Sequence, residues 1–258
     1  MLSHVTVRFP SRLRVVGGIG ALSLAALAAA PLGAQGSGNG FLLGTPVGSL
    51  SLRAGYDRAT ASSDVFRDAT TFLTLNKGDF SSMTLAADLG VRISSRLDFM
   101  LGTAVSGTSA RSEDRKYIDN NDLPIEQTTK FMRVPVTAGL KAYLTPRGRS
   151  VGKFAWIPAR IAPYAGAGVG LMWYRFEQTG DFTDYKTLDV FSNTYTSSRW
   201  AREAHAMLGT DYSITPRLAL TGEVRYTWGS SPLSEDFSGY RPIDLSGAAA
   251  TAGLTVRF

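Results

Sequence analysis

The sequence contains no cysteine, which excludes a disulfide scaffold, a thiolate zinc site and cysteine catalysis. Charge is also scarce, at 19% of 258 residues, whereas glycine is frequent at 27. That balance favours many strands and turns over long solvated helices. A mean hydropathy of −0.02 gives no sign of the long apolar runs that a helical membrane protein needs. A barrel whose strands alternate apolar and polar residues also averages to neutral, so the value is compatible with strands in a membrane. Neither a phosphate loop nor a dinucleotide fingerprint is present, and the alternating glycines from Gly166 to Gly170 read as strand packing. The formal net charge of +6 includes Arg8, Arg12 and Arg14 in a segment expected to be removed, and no basic run follows. No nucleic-acid partner is indicated.

What is present begins with an address. Arg8, Arg12 and Arg14 precede an uncharged stretch over residues 15–30, which Pro31, Leu32, Gly33 and Ala34 close. A charged start, an apolar middle and a small-residue end form the layout of a secretory signal peptide. Cleavage is expected after Ala34, although Leu32 is unusual three positions from the end of such a site. An uncleaved anchor is the alternative, but the stretch is rich in Gly and Ala and no positive stop-transfer cluster follows it. Residues 1–34 are therefore expected to form the signal peptide, 35–46 an N-terminal lead-in, and 47–258 the folded domain.

From residue 47 the pattern has period two, the strand signature. Leu50, Leu52, Ala54 and Tyr56 alternate with Ser51, Arg53, Gly55 and Asp57. Similar runs centre on residues 82–93, 97–106, 132–143, 161–174, 203–214, 218–228 and 250–258, which makes eight expected strands. Most are long enough for the roughly 9–11 residues that a tilted strand needs to cross a bilayer. The connections differ in length by side. Ser94-Ser95-Arg96 and Thr215-Pro216-Arg217 are tight, whereas residues 58–79, 111–127, 177–198 and, more briefly, 230–242 are polar and long. Short turns at one end and long loops at the other match a membrane barrel with periplasmic turns and external loops. The connection over residues 145–160 breaks this rule, being long for a periplasmic turn.

The polar face carries Arg53, Asp57, Asp88, Arg92, Asp98, Arg133, Lys141, Glu203, Asp211, Glu223, Arg225 and Arg257, with His205 among them. In a soluble ligand-binding barrel these residues would face water; in a membrane barrel they would face the lumen. Three features favour the lumen. Tyr56, Trp173, Trp200, Tyr226 and Trp228 lie on the apolar face toward the loop side, and Tyr212 and Phe258 toward the turn side, where rings prefer the headgroup level. The polar face is dense in glycine, which relieves crowding in a lumen only wide enough for side chains. Finally, the domain shows no helix that could cap a ligand cavity. The fold expected is all-β: an eight-stranded antiparallel up-and-down transmembrane β-barrel, preceded by a cleaved signal peptide.

The last strand, Ala252-Gly253-Leu254-Thr255-Val256-Arg257-Phe258, ends on phenylalanine with apolar residues at alternate positions. With the Thr-Pro-Arg-Leu turn and Glu223-Val224-Arg225-Tyr226 of the hairpin at residues 210–228, it resembles the bacterial outer-membrane β-barrel family of small OmpA/OmpX-type, porin-like barrels. The likeness covers residues 47–258. It implies an outer-membrane location, outer-membrane lipid as partner, and recognition of the last strand by the barrel-assembly machinery, with Leu254, Val256 and Phe258 as the assembly signal.

Arg53, Asp88, Arg92, Arg133, Lys141, Glu203, His205, Asp211, Glu223 and Arg225 are expected to form a lumen charge network, because buried charges need partners. His205 beside Glu203 and Asp211 could support acid–base chemistry, but membership of the network is the better reading. The aromatics Phe66, Phe72, Tyr117, Phe182, Tyr185, Phe191, Tyr195, Phe237 and Tyr240 read as loop packing and lipid-head contacts rather than a binding surface. Asp119-Asn120-Asn121-Asp122 and Asp181 with Asp184 are candidate weak divalent-cation sites, but they lack the regular spacing of a calcium loop. No catalytic residue, metal or cofactor is implied. The expected role is structural or surface-interacting, with the lumen filled by ion pairs. The alternatives are a narrow porin-like channel or transporter for small solutes and, with less support, an outer-membrane enzyme acting on lipid.

Overall fold

The computed structural model describes residues 40–118, 122–152, 154–184, 187 and 189–258. The signal-peptide reading, the first part of the lead-in, Asp119, Asn120, Asn121 and Tyr185 lie outside the described residues. Eight long strands follow one another: β1 (Gly48–Ala59), β2 (Ser82–Arg92), β3 (Leu97–Ile118), β4 (Pro124–Tyr143), β5 (Ile161–Thr183), β6 (Val190–Ser213), β7 (Leu218–Ser231) and β8 (Gly247–Arg257). Each pairs antiparallel with the next. β8 pairs back onto β1, from Gly247 opposite Ala59 to Arg257 opposite Ser49, and the ring closes. Closure leaves no open edge, as a lipid environment requires.

Alternation inside each strand sets the two faces. Outward residues such as Leu52, Leu85, Val169 and Leu208 are 60–64% exposed, whereas Arg53, Asp88, Asp211 and Glu223 are at most 6% exposed. This is the inverse of a water-soluble barrel. Water would penalise so large an apolar wall, and lipid removes that penalty. Among the described residues no helix is long and apolar enough to cross a membrane, so the strands are the spanning elements. Glycine lets the inner face close up: a Cβ on Gly102 would collide with the Asp88 carboxylate, and one on Gly209 with the Tyr164 hydroxyl.

The two tight turns share one bonding pattern. Ile93 N and Ser94 N donate to Leu97 O, as Ile214 N and Thr215 N donate to Leu218 O. At the other end the expectation of loops needs correction. β3 to β6 are 20–24 residues long and extend through much of 111–127 and 177–198. Above a bilayer both strand faces meet water or loop, so the period-two polarity fades while the backbone ladder continues.

The expectation of no helix in the domain is also wrong. Residues 58–79 contain α1 (Asp64–Phe72), followed by a short 3-10 turn at Lys77–Phe80. Nine residues are too few for a stable isolated helix, and only Val65, Phe66 and Ala69 are buried. The apolar face is only nine residues long and lies in a polar stretch, so the segment read as loop; docking onto the barrel holds it as a helix.

The long connection at residues 145–160 is a folded unit as well. Gly148–Val151 and Ala155–Pro158 form a hairpin, and Leu42–Leu43 adds a third antiparallel strand beside Ala155–Pro158.

Candidate functional site

The lumen is filled at three levels. In the middle, Arg53 from β1 bridges Asp88 of β2 and Glu223 of β7 at 2.5 and 3.1 Å. Arg225 reaches the same two carboxylates at 3.3 and 3.0 Å, and the Tyr164 hydroxyl donates to the other oxygen of Glu223 at 2.9 Å. Two cations and two anions therefore form one closed cluster.

Toward the turn side, Asp211 is wholly buried. It meets the Lys141 ammonium at 3.3 Å and accepts hydrogen bonds from Tyr143 and Thr221 at 2.9 and 2.8 Å. The Arg257 guanidinium stands 4.0 Å away and donates to Ser213. Thr221, Thr255 and Ser51 continue a hydroxyl chain across the ring. Lys141 also lies 3.6 Å from the centre of the Tyr164 ring. Trp156 of the short sheet is buried below, 6.0 Å from the Arg257 guanidinium, and Arg147 pairs with Asp98 at 2.6 Å.

Nearer the loop end, Arg133 pairs with Asp57 at 2.8 Å and donates to the Leu245 carbonyl. His205 Nδ1 and Glu203 Oε1 are 3.3 Å apart. Glu203 also lines a gap of about 50 Å³ together with Asp57, Arg133 and Arg225, room for a few water molecules. Its other carboxylate oxygen is buried without a protein partner.

Above the charges lies an apolar plug. Phe66 of α1 is fully buried and stands edge-on to Phe80, Phe131 and Phe176, with centroids 4.7, 5.2 and 5.6 Å away. Phe237 extends this cluster to Tyr195. Arg115 of β3 ties the segment after α1 down by donating to Leu73 O at 2.6 Å. In the adjoining loop, Ser62 and Ser246 hydrogen-bond to Asp244. Burial works against its charged form, but those bonds outweigh burial and hold the carboxyl below its ordinary value.

Of the ten residues expected in the lumen network, Arg92 stands apart, half-buried at a turn with its Nε donating to Ser94 O at 3.1 Å. The other nine fall into the three clusters above, with Tyr164 lying between the Arg53 and Asp211 clusters. Tyr143, Tyr164 and Arg147 join them without having been singled out. The two tyrosines lie on the polar face by alternation and were findable there; Arg147 belongs to a turn, where no periodicity marks it. On the outer wall Tyr56, Trp200 and Trp228 are exposed, and Trp173 is half-buried opposite Trp200. Tyr226 packs against Trp228 at 4.8 Å, and Tyr212 receives hydrogen bonds from Arg160. Leu254, Val256 and Phe258 are also exposed on this wall. Asp181 meets Ser192, and no metal-holding carboxylate group occurs among the described residues.

A closed antiparallel ring with an apolar outside and a charged inside is a barrel built for lipid. Residues 19–258 match the outer membrane protein beta-barrel domain family. The chain belongs to that family. As an outer-membrane barrel it sits in the bacterial outer membrane with lipid around its apolar wall.

Similar solved structures include Neisserial surface protein A, at 16% identity over 85% of this chain and 98% of that one, with a TM-score of 0.44. OprG from Pseudomonas aeruginosa is 15% identical over 84% and 99% of the two chains, at 0.46. Ail of Yersinia pestis is 14% identical over 82% and 99%, at 0.37. Comparison with curated protein sequences gives no match.

Proposed function

We propose that this outer-membrane barrel is a closed wall protein with a structural and surface-interacting role, not a pore. The observation that carries this reading is the filling of the lumen at three levels by paired charges, the Phe66 plug and Trp156. A solute would have to separate ion pairs with almost no contact with water. Removing one partner of such a pair costs about 3–5 kcal/mol, and the Arg53 cluster alone holds four charges. The strands β3 to β6, extended beyond the bilayer, offer the external surface on which a partner would dock. No catalysis is assigned: His205 is 4% exposed and meets Glu203 inside a closed lumen.

Planar-bilayer recording tests this reading. Purified barrel should insert without discrete conductance steps at moderate voltage. Reproducible unitary steps would instead support the narrow-channel alternative, with the lumen charges setting selectivity.

Export and assembly are part of the same proposal: cleavage after Ala34, then insertion guided by Leu254, Val256 and Phe258. Phe258 has a structural position that supports this role. Its amide donates to Gly48 O, its carbonyl receives the Val47 and Gly48 amides, and Gly48 leaves space for its ring. Deleting Phe258 should lower the amount of folded barrel in purified outer membranes, read by gel mobility with and without boiling. Wild-type yield would remove the last residue from the assembly signal.

A further inference from the structure

The lumen explains many of the charged residues, but Arg58, Arg175 and Arg202 face the other way; Arg175 pairs with Glu177, and Arg202 stands beside a groove. On β6 the inward positions are Ala201, Glu203, His205 and Met207, all buried, and Arg202 lies exposed between them on the outer wall. It lines an open groove of about 700 Å³ at the loop end of β6 and β7, with Trp228, Ser230, Ser62, Arg241 and Asp244.

The other charges of this groove are already engaged. Asp64 meets Arg67 at 2.9 Å and Arg241 at 3.0 Å. Asp244 accepts hydrogen bonds from Ser62 and Ser246. Among the described residues, Arg202 has no carboxylate or hydrogen-bond partner. Its wall neighbours Trp200 and Trp228 are 58% and 51% exposed.

An arginine on the lipid face is costly at the bilayer midplane and nearly free at the interface. Exposed tryptophans mark that interface. The anions available at this level are lipid phosphates, and a planar guanidinium fork can grip a phosphate through two parallel hydrogen bonds. Flanking indole rings would pack against the apolar part of the same molecule. We propose that the groove beside Arg202 binds the phosphate-bearing headgroup of a membrane lipid in the external leaflet, with Arg202 as the phosphate ligand.

The test is lipid retention by the full barrel in detergent, measured by native mass spectrometry. Phosphatidic acid supplies the phosphate monoester, diacylglycerol serves as its uncharged counterpart, and inorganic phosphate as the soluble anion. Wild type should retain phosphatidic acid and release diacylglycerol. Arg202→Ala should weaken phosphatidic acid retention at least tenfold, with Arg202→Lys intermediate and gel mobility showing that both fold. Arg202→Gln, which keeps much of the side-chain length without the charge, takes the place of the alanine variant if that one does not fold. Equal retention by wild type and the neutral variant would overturn the proposal. Displacement of the lipid by low millimolar inorganic phosphate would overturn it too, because the groove would then be a soluble-anion site.

Discussion

Asp211→Ala is expected to destabilise the barrel by about 3–5 kcal/mol, the cost of removing one partner from a buried charge pair. Asp211 is the shared acceptor of Lys141, Tyr143 and Thr221, with Arg257 close by. Its loss strands an ammonium, and leaves a guanidinium without its nearest carboxylate, in a space with almost no water. Both cations are about 5% or less exposed, so solvent cannot take over the carboxylate's role. Asp211→Asn should keep some of the hydrogen bonds and still lose the charge, giving a smaller but clear loss. Urea titration in detergent micelles, read by the folded and unfolded bands on a gel, measures both. A wild-type midpoint for the alanine variant would show that these cations do not depend on Asp211.

Phe66→Ala should act on a different part of the molecule. A buried phenylalanine cut to alanine costs about 3–5 kcal/mol, and here the loss falls on docking of α1 rather than on the barrel. Undocking should therefore become about two to three and a half orders of magnitude more frequent, at about 1.4 kcal/mol per tenfold. A nine-residue helix has no stability of its own to resist this. Residues 60–80 should become readily cut by protease and lose hydrogen-exchange protection, while the urea midpoint of the barrel stays close to wild type. If the barrel is the closed wall proposed above, this variant should show no conductance either, because the Arg53 and Asp211 clusters lie below Phe66. Protease resistance equal to wild type would mean that Arg115 and the neighbouring rings hold the segment without Phe66.

The two variants also separate what could be read in the sequence from what could not. Asp211 was identifiable as a lumen residue, since it occupies a polar position in an alternating run. Its charged partners were not, because Lys141 and Arg257 come from strands that are not neighbours of β6 and meet it only across the closed ring, whereas Thr221 stands opposite it in the β6–β7 hairpin. Phe66 was visible as one of several loop aromatics, and packing was expected for it. The helix that carries it was not expected, because its apolar face spans only nine residues inside a polar connection.

The sequence by itself determined the strand number, the antiparallel order, the short turns on one side and the residues that face lipid. Each follows from a local rule: a pleated strand alternates its faces, and a bilayer rewards apolar residues on one of them over a fixed length. Tertiary structure alone decided which charges pair, where the strands end, that Phe66 of α1 packs onto Phe80, Phe131 and Phe176, and that Leu42–Leu43 joins the hairpin at the turn end. Those features depend on the register accumulated around eight strands and on contacts between segments far apart in the chain. A repeat of two residues carries no information about either.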